Sequence, residues 1–389
     1  DINGGVRRCS LDIGINDIDI RDLSKKLAKM IPSGATRKGG VSLNDTELEY
    51  ILSEGASAAV ELGWGEPRDL LNIESNGLLN CEERKLSERA MKRGMSALGT
   101  LGSGNHFLEL QIVDKIVDKE AAKSFGLRIG QITAMIHTGS RGLGHQVCSE
   151  HVNSIESKYE KRGDIWHAPE WNMEISDRQL AAAPIFSKEG KNYVDSMNAA
   201  GNYAFANRSA LTQRLRLALR EILGRDSNLE LIYDVSHNIA KIENHNINGK
   251  SCKCCVHRKG ATRALGGDHN ELAPRFSEIG QPVLVPGDMG TASWVLAGPK
   301  KGSNDAFSSS CHGAGRKLSR TAARNSIDSV KLMKSLEEKG IYVNVKTPNV
   351  LSEEAPEAYK NVDEVIELTH KAELARPVAR LRPFAVIKG

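Results

Sequence analysis

The chain has 389 residues with 53 lysines and arginines against 49 aspartates and glutamates, and its formal net charge of +4 excludes a polybasic or polyacidic polymer. Hydrophobic residues make up 40% and charged ones 26%, proportions that exclude a disordered chain and predict a real core. No apolar run of about 18 residues occurs, no basic or apolar leader opens the chain, and seven cysteines, an odd number, make a poor disulfide framework, so a reducing cytoplasm is expected.

The opening at Asp1 reads as the middle of something, and a preceding segment is expected. Leu23 to Met30 has helical apolar spacing, and Asn44 or Asp45 is placed to cap a second helix with apolar positions at Leu48, Ile51, Leu52, Ala58 and Val60. A charged amphipathic stretch from Cys81 to Lys92 runs into the Gly-rich turn Leu98 to His106, and a strand follows from Phe107 to Val113. The same grammar returns at Ile132 to Ile136, an apolar run ending in His137 and the turn Thr138 to Gly144, with a helix beginning near His145. Lys158 to Asn192 is polar and irregular, and Tyr193 to Leu223 reads as a long helix with Arg208, Arg214, Arg216 and Arg220 on a solvated face. Leu229 to Val235 is a further strand that places His237 beside a loop. Arg258 to Arg263 reads as a basic turn, Pro282 to Val285 and Ala292 to Leu296 as strands, and Ser308 to Arg316 as the entry to a helix running to about Ser326. Strands and helices are interleaved without clean βαβ periodicity, solenoid repeats or a Pro-rich linker. A single compact α+β domain over residues 1–389, with mixed sheets and a cleft at strand ends, is therefore expected.

His106, His137 and His237 each end an apolar strand beside Gly, Ser or Asn, and strand ends on one edge of a sheet meet at a common rim. A lone histidine at a strand end is more often structural; threefold recurrence points to a site. Imidazole is the commonest transition-metal ligand, Asp1 is a candidate hard ligand to join the three, and the mixed set suits Mn²⁺, Fe²⁺ or Zn²⁺. His312 precedes Gly313-Ala314-Gly315 at an expected helix N-terminus, where free N–H groups and the helix dipole favour phosphate. An imidazole there either caps the helix or attacks phosphorus to form a phosphoramidate. Gly249-Lys250-Ser251 resembles the end of a P-loop, but Asn244 stands where the first glycine is needed. Cys252, Cys254, Cys255 and His257 have no second ligand pair at zinc spacing and read as loop residues. Arg258, Lys259 and Arg263 suit a solvated turn and a phosphate contact equally. With aromatic residues at 5%, nucleic acid is expected to be held through phosphate rather than by base stacking.

A series of blocks in order along the chain resembles the RtcB RNA ligases. They are Asp1-Ile2-Asn3-x-Gly5-Val6-Arg7, Leu98 to His106 with Phe107-Leu108-Glu109, Ile136 to Gly142, Asn202-Tyr203-Ala204-x-Ala206-Asn207-Arg208 and Ser236-His237-Asn238. Arg258 to Thr262, Pro286 to Thr291, His312 to Arg316, Glu354-Ala355-Pro356-x-Ala358-Tyr359-Lys360 and Lys388-Gly389 complete the series.

The resemblance implies a GTP-dependent RNA ligase acting in tRNA splicing and RNA repair. In that family a histidine matching His312 attacks the α-phosphate of GTP to give a covalent histidine–GMP, and a pair of Mn²⁺ ions is held by residues matching Asp1, His106, His137 and His237. The guanylate passes to an RNA 3′-phosphate, opened first from a 2′,3′-cyclic phosphate where needed, and a 5′-hydroxyl displaces GMP. The resemblance also implies guanine specificity from Phe107, Glu109, Ser293, Tyr359 and Lys388, and phosphate contacts from Asn105 and Asn238. GTP contacts at Asp288, Ala314 and Gly315 and RNA or phosphate contacts at Arg141 and Arg316 complete the implied site. Expected partners are RNA, GTP and archease, with no membrane, and the chain is expected to be a monomer. Three departures stand against this. The family has a metal-bridging cysteine where this chain has Gly4, which implies metal affinity weaker by roughly tenfold to a hundredfold or more. It carries a further segment upstream, with a Pro-Asp-x-His type motif, and a serine is more usual at Asp288. They leave open a catalytically impaired RNA- or nucleotide-binding paralogue, and a metal-dependent phosphohydrolase in which the same histidines activate water.

Overall fold

The computed structural model describes residues 1–15, 18–34, 39–177, 180–224 and 227–389. Its elements run β1 (Gly5–Gly14), α1 (Ile20–Met30), α2 (Asp45–Glu54), α3 (Ala56–Glu61), α4 (Glu88–Gly94), β2 (Phe107–Ile116), α5 (Lys119–Ser124), β3 (Gln131–Thr138), α6 (Arg141–Glu156), β4 (Glu160–Arg162), β5 (Ile165–Ala168), β6 (Met173–Ile175) and α7 (Lys188–Leu223). They continue β7 (Leu229–Ser236), β8 (Asn238–Ile247), β9 (Lys250–Lys259), β10 (Ala261–Arg263), β11 (Pro282–Val285), β12 (Ser293–Ala297), β13 (Ser309–Cys311), α8 (Arg320–Ser326), α9 (Ser329–Glu338), β14 (Tyr342–Val345), α10 (Pro348–Glu353), α11 (Val362–Lys371) and β15 (Arg376–Lys388).

Seven strands form one nearly closed sheet in the order β11-β12-β15-β2-β3-β1-β7, and β14 joins the flank of β15 in parallel. The other pairings in this sheet are antiparallel. Strand alternation divides the core in two, because successive side chains leave opposite faces. Leu108, Leu110, Ile132, Ala134 and Ile136 pack with α1, α2, α3 and α7, whereas Phe107, Val113, Met135 and Val235 pack with Phe125, Phe276 and Leu381 on the other side. Both faces are covered, so β3 is buried along its whole length. The expected single α+β domain is the one observed.

Asn44 caps α2 through a reciprocal capping box with Glu47, but the helix stops at Gly55 (φ +58°), so Ala58 and Val60 lie on α3. A Cβ at Gly55 would sit 2.2 Å from the carbonyl oxygen of Gly77, which is why the chain breaks there. Of the stretch Cys81 to Lys92, the helix takes only the part after the Ser87 cap, and α6 begins at Arg141 rather than near His145. The segment read as irregular holds the small sheet β4-β5-β6 with its own apolar cluster around Tyr159 and Ile175. The cysteines expected in a loop lie on β9, paired with β8, and all are free thiols.

The arginines of α7 correct a larger expectation. Arg208 and Arg216 are fully buried, because buried carboxylates await them: Asp234 lies 2.9 Å from Arg208, and Asp69 lies 2.8 Å from Arg216. A buried guanidinium without such a partner would carry a prohibitive desolvation cost. Arg258 and Arg263 are likewise no basic turn. They lie on the strands β9 and β10 on either side of Gly260, and each makes a double hydrogen bond, to Glu243 and Glu271 respectively.

Candidate active site

Pairing puts the ends of four strands at one edge of the sheet. Gly5 of β1 faces Thr138 of β3 and Ser236 of β7, and Phe107 of β2 faces His137. The residues next to these strand ends therefore meet. His106 Nε2 lies 3.0 Å from Asp1 Oδ2, and His137 Nε2 lies 3.1 Å from His237 Nε2. The rings of His106 and His137 are 5.3 Å apart, those of His137 and His237 4.8 Å, and those of His237 and His312 5.1 Å.

A buried polar scaffold holds these groups. Asp234 binds Arg7 at 2.7 Å and Arg208 at 2.9 Å, and Arg208 Nη1 donates to the carbonyls of Asn3 and Thr138. Those carbonyls belong to the segments that carry Asp1 and His137. Asn207 accepts from the amides of Gly99 and Thr100 and donates to the carbonyl of Gly139, tying both Gly-rich turns to α7. The block Asn202 to Arg208 is thus scaffold, with Asn202, Asn207 and Arg208 all fully buried.

Electrostatics fix the protonation of the cluster. Burial, reinforced by the nearby Arg141 charge, lowers His106 to about 3. Burial and the neighbouring imidazoles hold His137 and His237 well below the usual histidine range. Burial also lowers His312, helped by Lys259. All four rings are neutral at physiological pH, the form in which imidazole offers a lone pair to a metal or an electrophile. Among the described residues no three His, Cys, Asp or Glu side chains form a ready metal site. The donors meet in pairs instead. Their chemistry nevertheless fits a divalent ion, with one carboxylate, three neutral imidazoles, and buried Nδ1 atoms of His106 and His237 that have no hydrogen-bond partner among the described residues. Gly4 faces this cluster: a Cβ there would lie 2.2 Å from Asp1 Oδ2, so any side chain at position 4 would contend with Asp1 for the same space.

His312 departs from its expected setting. It follows β13, which pairs with β10, and the next helix starts only at Arg320 under the Ser319 cap. Gly315 takes φ +74° and the amide of Ala314 donates to the carbonyl of Pro286, so Gly313 to Leu318 is an irregular loop without a helix dipole behind His312. The ring packs beside Gly260, whose backbone pulls against the burial that lowers His312.

From His312 a cleft of about 190 Å³ runs between β2, the Pro286 loop and the end of β15. Asn105, Phe107, Glu109, Asp288, Ala314, Gly315, Arg316, Tyr359 and Lys388 all line it, together with His137 and His312. At its far end burial pushes the Glu109 carboxyl up to about 8, against the pull of Lys388 and of the Gln111 amide. Lys388 Nζ lies 3.5 Å from Glu354 and 5.8 Å from the centre of the Phe107 ring. Arg316 donates to Tyr359 Oη and stacks 4.9 Å over its ring, while Tyr359 donates to Glu354. Burial raises Asp288, which accepts from the amide of Gly290 and the hydroxyl of Thr291.

Three expected residues stand apart from the cleft wall. Ser293 is fully buried behind it, accepting from Gln111 and from the amide of Gly287. Asn238 sits at the histidine rim, its amide donating to the carbonyl of Asp1. Arg141 reaches Thr100 and the carbonyl of Gly34 beside His106, with φ +54° at its own backbone. Sequence reasoning gave no role to Glu354, Arg320, Gln111 or Arg8. The first lies in a block that was noticed, but its contact with Lys388 spans 34 residues. Gln111 reads as an ordinary strand position, and Arg8 lies on β1, a stretch where no strand was expected.

A family model described as tRNA-splicing ligase RtcB matches residues 1–389. The tRNA-splicing ligase RtcB of Archaeoglobus fulgidus is 45% identical over 395 residues, covering all of this chain and 80% of that protein. That of Thermococcus kodakarensis is also 45% identical, with the same coverage. The tRNA-splicing ligase RtcB of Pyrococcus furiosus is 44% identical over 394 residues, covering all of this chain and 40% of that protein.

Proposed function

The chain belongs to the tRNA-splicing ligase RtcB family, and on that footing we propose that it is an RNA ligase of tRNA splicing and RNA repair. It joins a 3′-phosphate or 2′,3′-cyclic phosphate end to a 5′-hydroxyl end at the expense of GTP. One observation carries this reading: a neutral, half-buried His312 stands between a carboxylate–histidine cluster and a cleft that ends on Glu109 and Lys388.

His312, its ring neutral because burial lowers it, attacks the α-phosphorus of GTP through a ring nitrogen. A P–N bond forms, the α–β P–O bond breaks and pyrophosphate leaves. An oxygen of the RNA 3′-phosphate then attacks the same phosphorus, the P–N bond breaks and His312 is restored with the RNA end activated. The 5′-hydroxyl of the second RNA attacks the RNA phosphorus and GMP departs. Glu109 accepts from the guanine N–H groups, Phe107 and Tyr359 bound the base, and Lys388 sets an ammonium between Glu354 and the Phe107 ring at that end of the cleft. Asn105, Ala314 and Gly315 line the path of the phosphates, Arg316 lines the same cleft, and Arg141 stands beside His106; both offer cations to phosphate or RNA. Asp1, His106, His137 and His237 would hold the divalent ions, Mn²⁺ in this family, which supply neutralisation of phosphate charge. The reading includes archease as a partner and the cytoplasm as the place of work.

Gly4 favours a second reading, an impaired paralogue that binds nucleotide without sealing RNA, because no thiolate can join the cluster from that position. Incubating the chain with GTP, Mn²⁺ and two RNAs ending in 3′-phosphate and 5′-hydroxyl separates the two. A joined product that requires both ends and GTP supports the ligase; tight GTP binding with no joined RNA supports the paralogue.

A further inference from the structure

Behind the far end of the cleft lies a buried chain of hydrogen bonds. Arg8, fully buried on β1, donates to Gln111 Oε1 at 2.7 Å and Thr133 Oγ1 at 2.9 Å, and a third contact reaches the sulfur of Met135. Gln111, fully buried on β2, donates from Nε2 to Glu109 Oε2 at 2.6 Å and to Ser293 Oγ at 2.9 Å. Among the described residues Arg8 has no carboxylate within ion-pair distance, and Glu109, the acid that acts on it most strongly, is reached only through Gln111.

The polarity of this chain is set from one end. A guanidinium has donors and no acceptor, so the amide of Gln111 cannot turn over without pointing N–H at N–H. Nε2 must therefore face Glu109. A donor fixed on a carboxylate oxygen favours the ionised form; Lys388 from β15 and the uncompensated charge of Arg8 act in the same direction, while burial and Asp288 of the Pro286 loop oppose them. Glu109 Oε2 is occupied by this bond, and the rest of the carboxylate is presented to the cleft.

We infer that Gln111 is a positioning residue for nucleobase recognition: locked by Arg8, it orients Glu109 as a charged acceptor for a purine edge that carries N–H donors. The inference rests on reading the cleft as the GTP site. Base binding and ionisation of Glu109 are then one event, since a guanine edge brings N–H donors to a carboxyl that the empty cleft keeps desolvated. Replacing the Gln111 amide by a carboxylate gives Arg8 its own anion and sets two acid groups face to face, so Glu109 keeps a proton.

The test is equilibrium binding of GTP and of ITP, whose base lacks the exocyclic amine, to the full chain with Mn²⁺ present, as pH is raised through 8. Wild type is compared with Gln111→Glu and Gln111→Met, with the melting temperature of each recorded. Wild-type GTP affinity should rise with pH, and at neutral pH both variants should bind GTP roughly tenfold to a hundredfold more weakly, the loss of one hydrogen bond to a charged group. Their pH midpoints should move upward and their preference for GTP over ITP should shrink. If Gln111→Glu does not fold, Gln111→Met makes the same test by removing the amide altogether. Folded variants with the wild-type midpoint and the wild-type GTP to ITP ratio would overturn the inference alone. Failure of wild type to bind GTP at all would overturn the ligase reading and the inference with it.

Discussion

Replacing Asp234 by Asn removes the one carboxylate shared by Arg7 and Arg208, all three side chains being fully buried. Asparagine preserves the shape but can offer only one oxygen, and its NH₂ must face a guanidinium. Breaking a buried ion pair from one side typically costs about 3–5 kcal/mol, because the remaining charge is left without compensation. For 389 residues the unfolding entropy is about 0.8 kcal/mol/K, so the melting temperature should fall by about 4–6 °C. The effect should reach the chemistry as well. Arg208 holds the carbonyls of Asn3 and Thr138, and a shift of about 1 Å at the segments carrying Asp1 and His137 costs on the order of a hundredfold in rate. Differential scanning calorimetry and nucleotide-labelling rates measure both. A change below about 1 °C together with wild-type labelling would refute the claim that this cluster anchors the site.

Gly4→Cys should raise Mn²⁺ affinity, by roughly tenfold or more, once the Asp1 carboxylate swings aside to make room for the new side chain, and a metal titration that left the affinity unchanged would contradict this. GTP binding should strengthen as pH rises through about 8, because Glu109 must lose its proton to accept from guanine; Glu109→Gln should abolish that dependence and weaken binding. Glu74 is fully buried, and although burial opposes it, Lys241 and Arg263 hold its carboxyl down at about 2. Its folded value lies below the unfolded one, so the stability it contributes is present above the unfolded carboxylate pKa of 4.5 and is lost as pH falls towards 2. Glu74→Gln should flatten acid unfolding in that window, and an unaltered acid limb would count against the pairing.

The framework was legible where the pattern was local. The strands at Phe107, Ile132 and Leu229 and the long helix α7 appear where apolar periodicity places them, and three histidines at strand ends do converge on one rim. What failed depended on partners far along the chain. Arg208 and Arg216 look like solvent-facing residues until Asp234 and Asp69 fold over them. His312 looks like the start of a helix because Gly-Ala-Gly precedes a helical sequence, yet the loop is held open by the pairing of Ala314 with Pro286. Gln111 could not be distinguished from other residues of its strand and Arg8 lay on a strand not foreseen at all, since their importance lies in which atoms face each other across β1 and β2 with β3 between them.

The most direct measurement is incubation with α-labelled GTP and Mn²⁺, denaturation, and mapping of the labelled peptide, with His312→Ala alongside. Label retained through denaturation on the peptide containing His312, and absent from His312→Ala with an unchanged melting temperature, is the predicted result. Label on another residue, or equal labelling of His312→Ala, would contradict the assignment of His312 as the nucleophile.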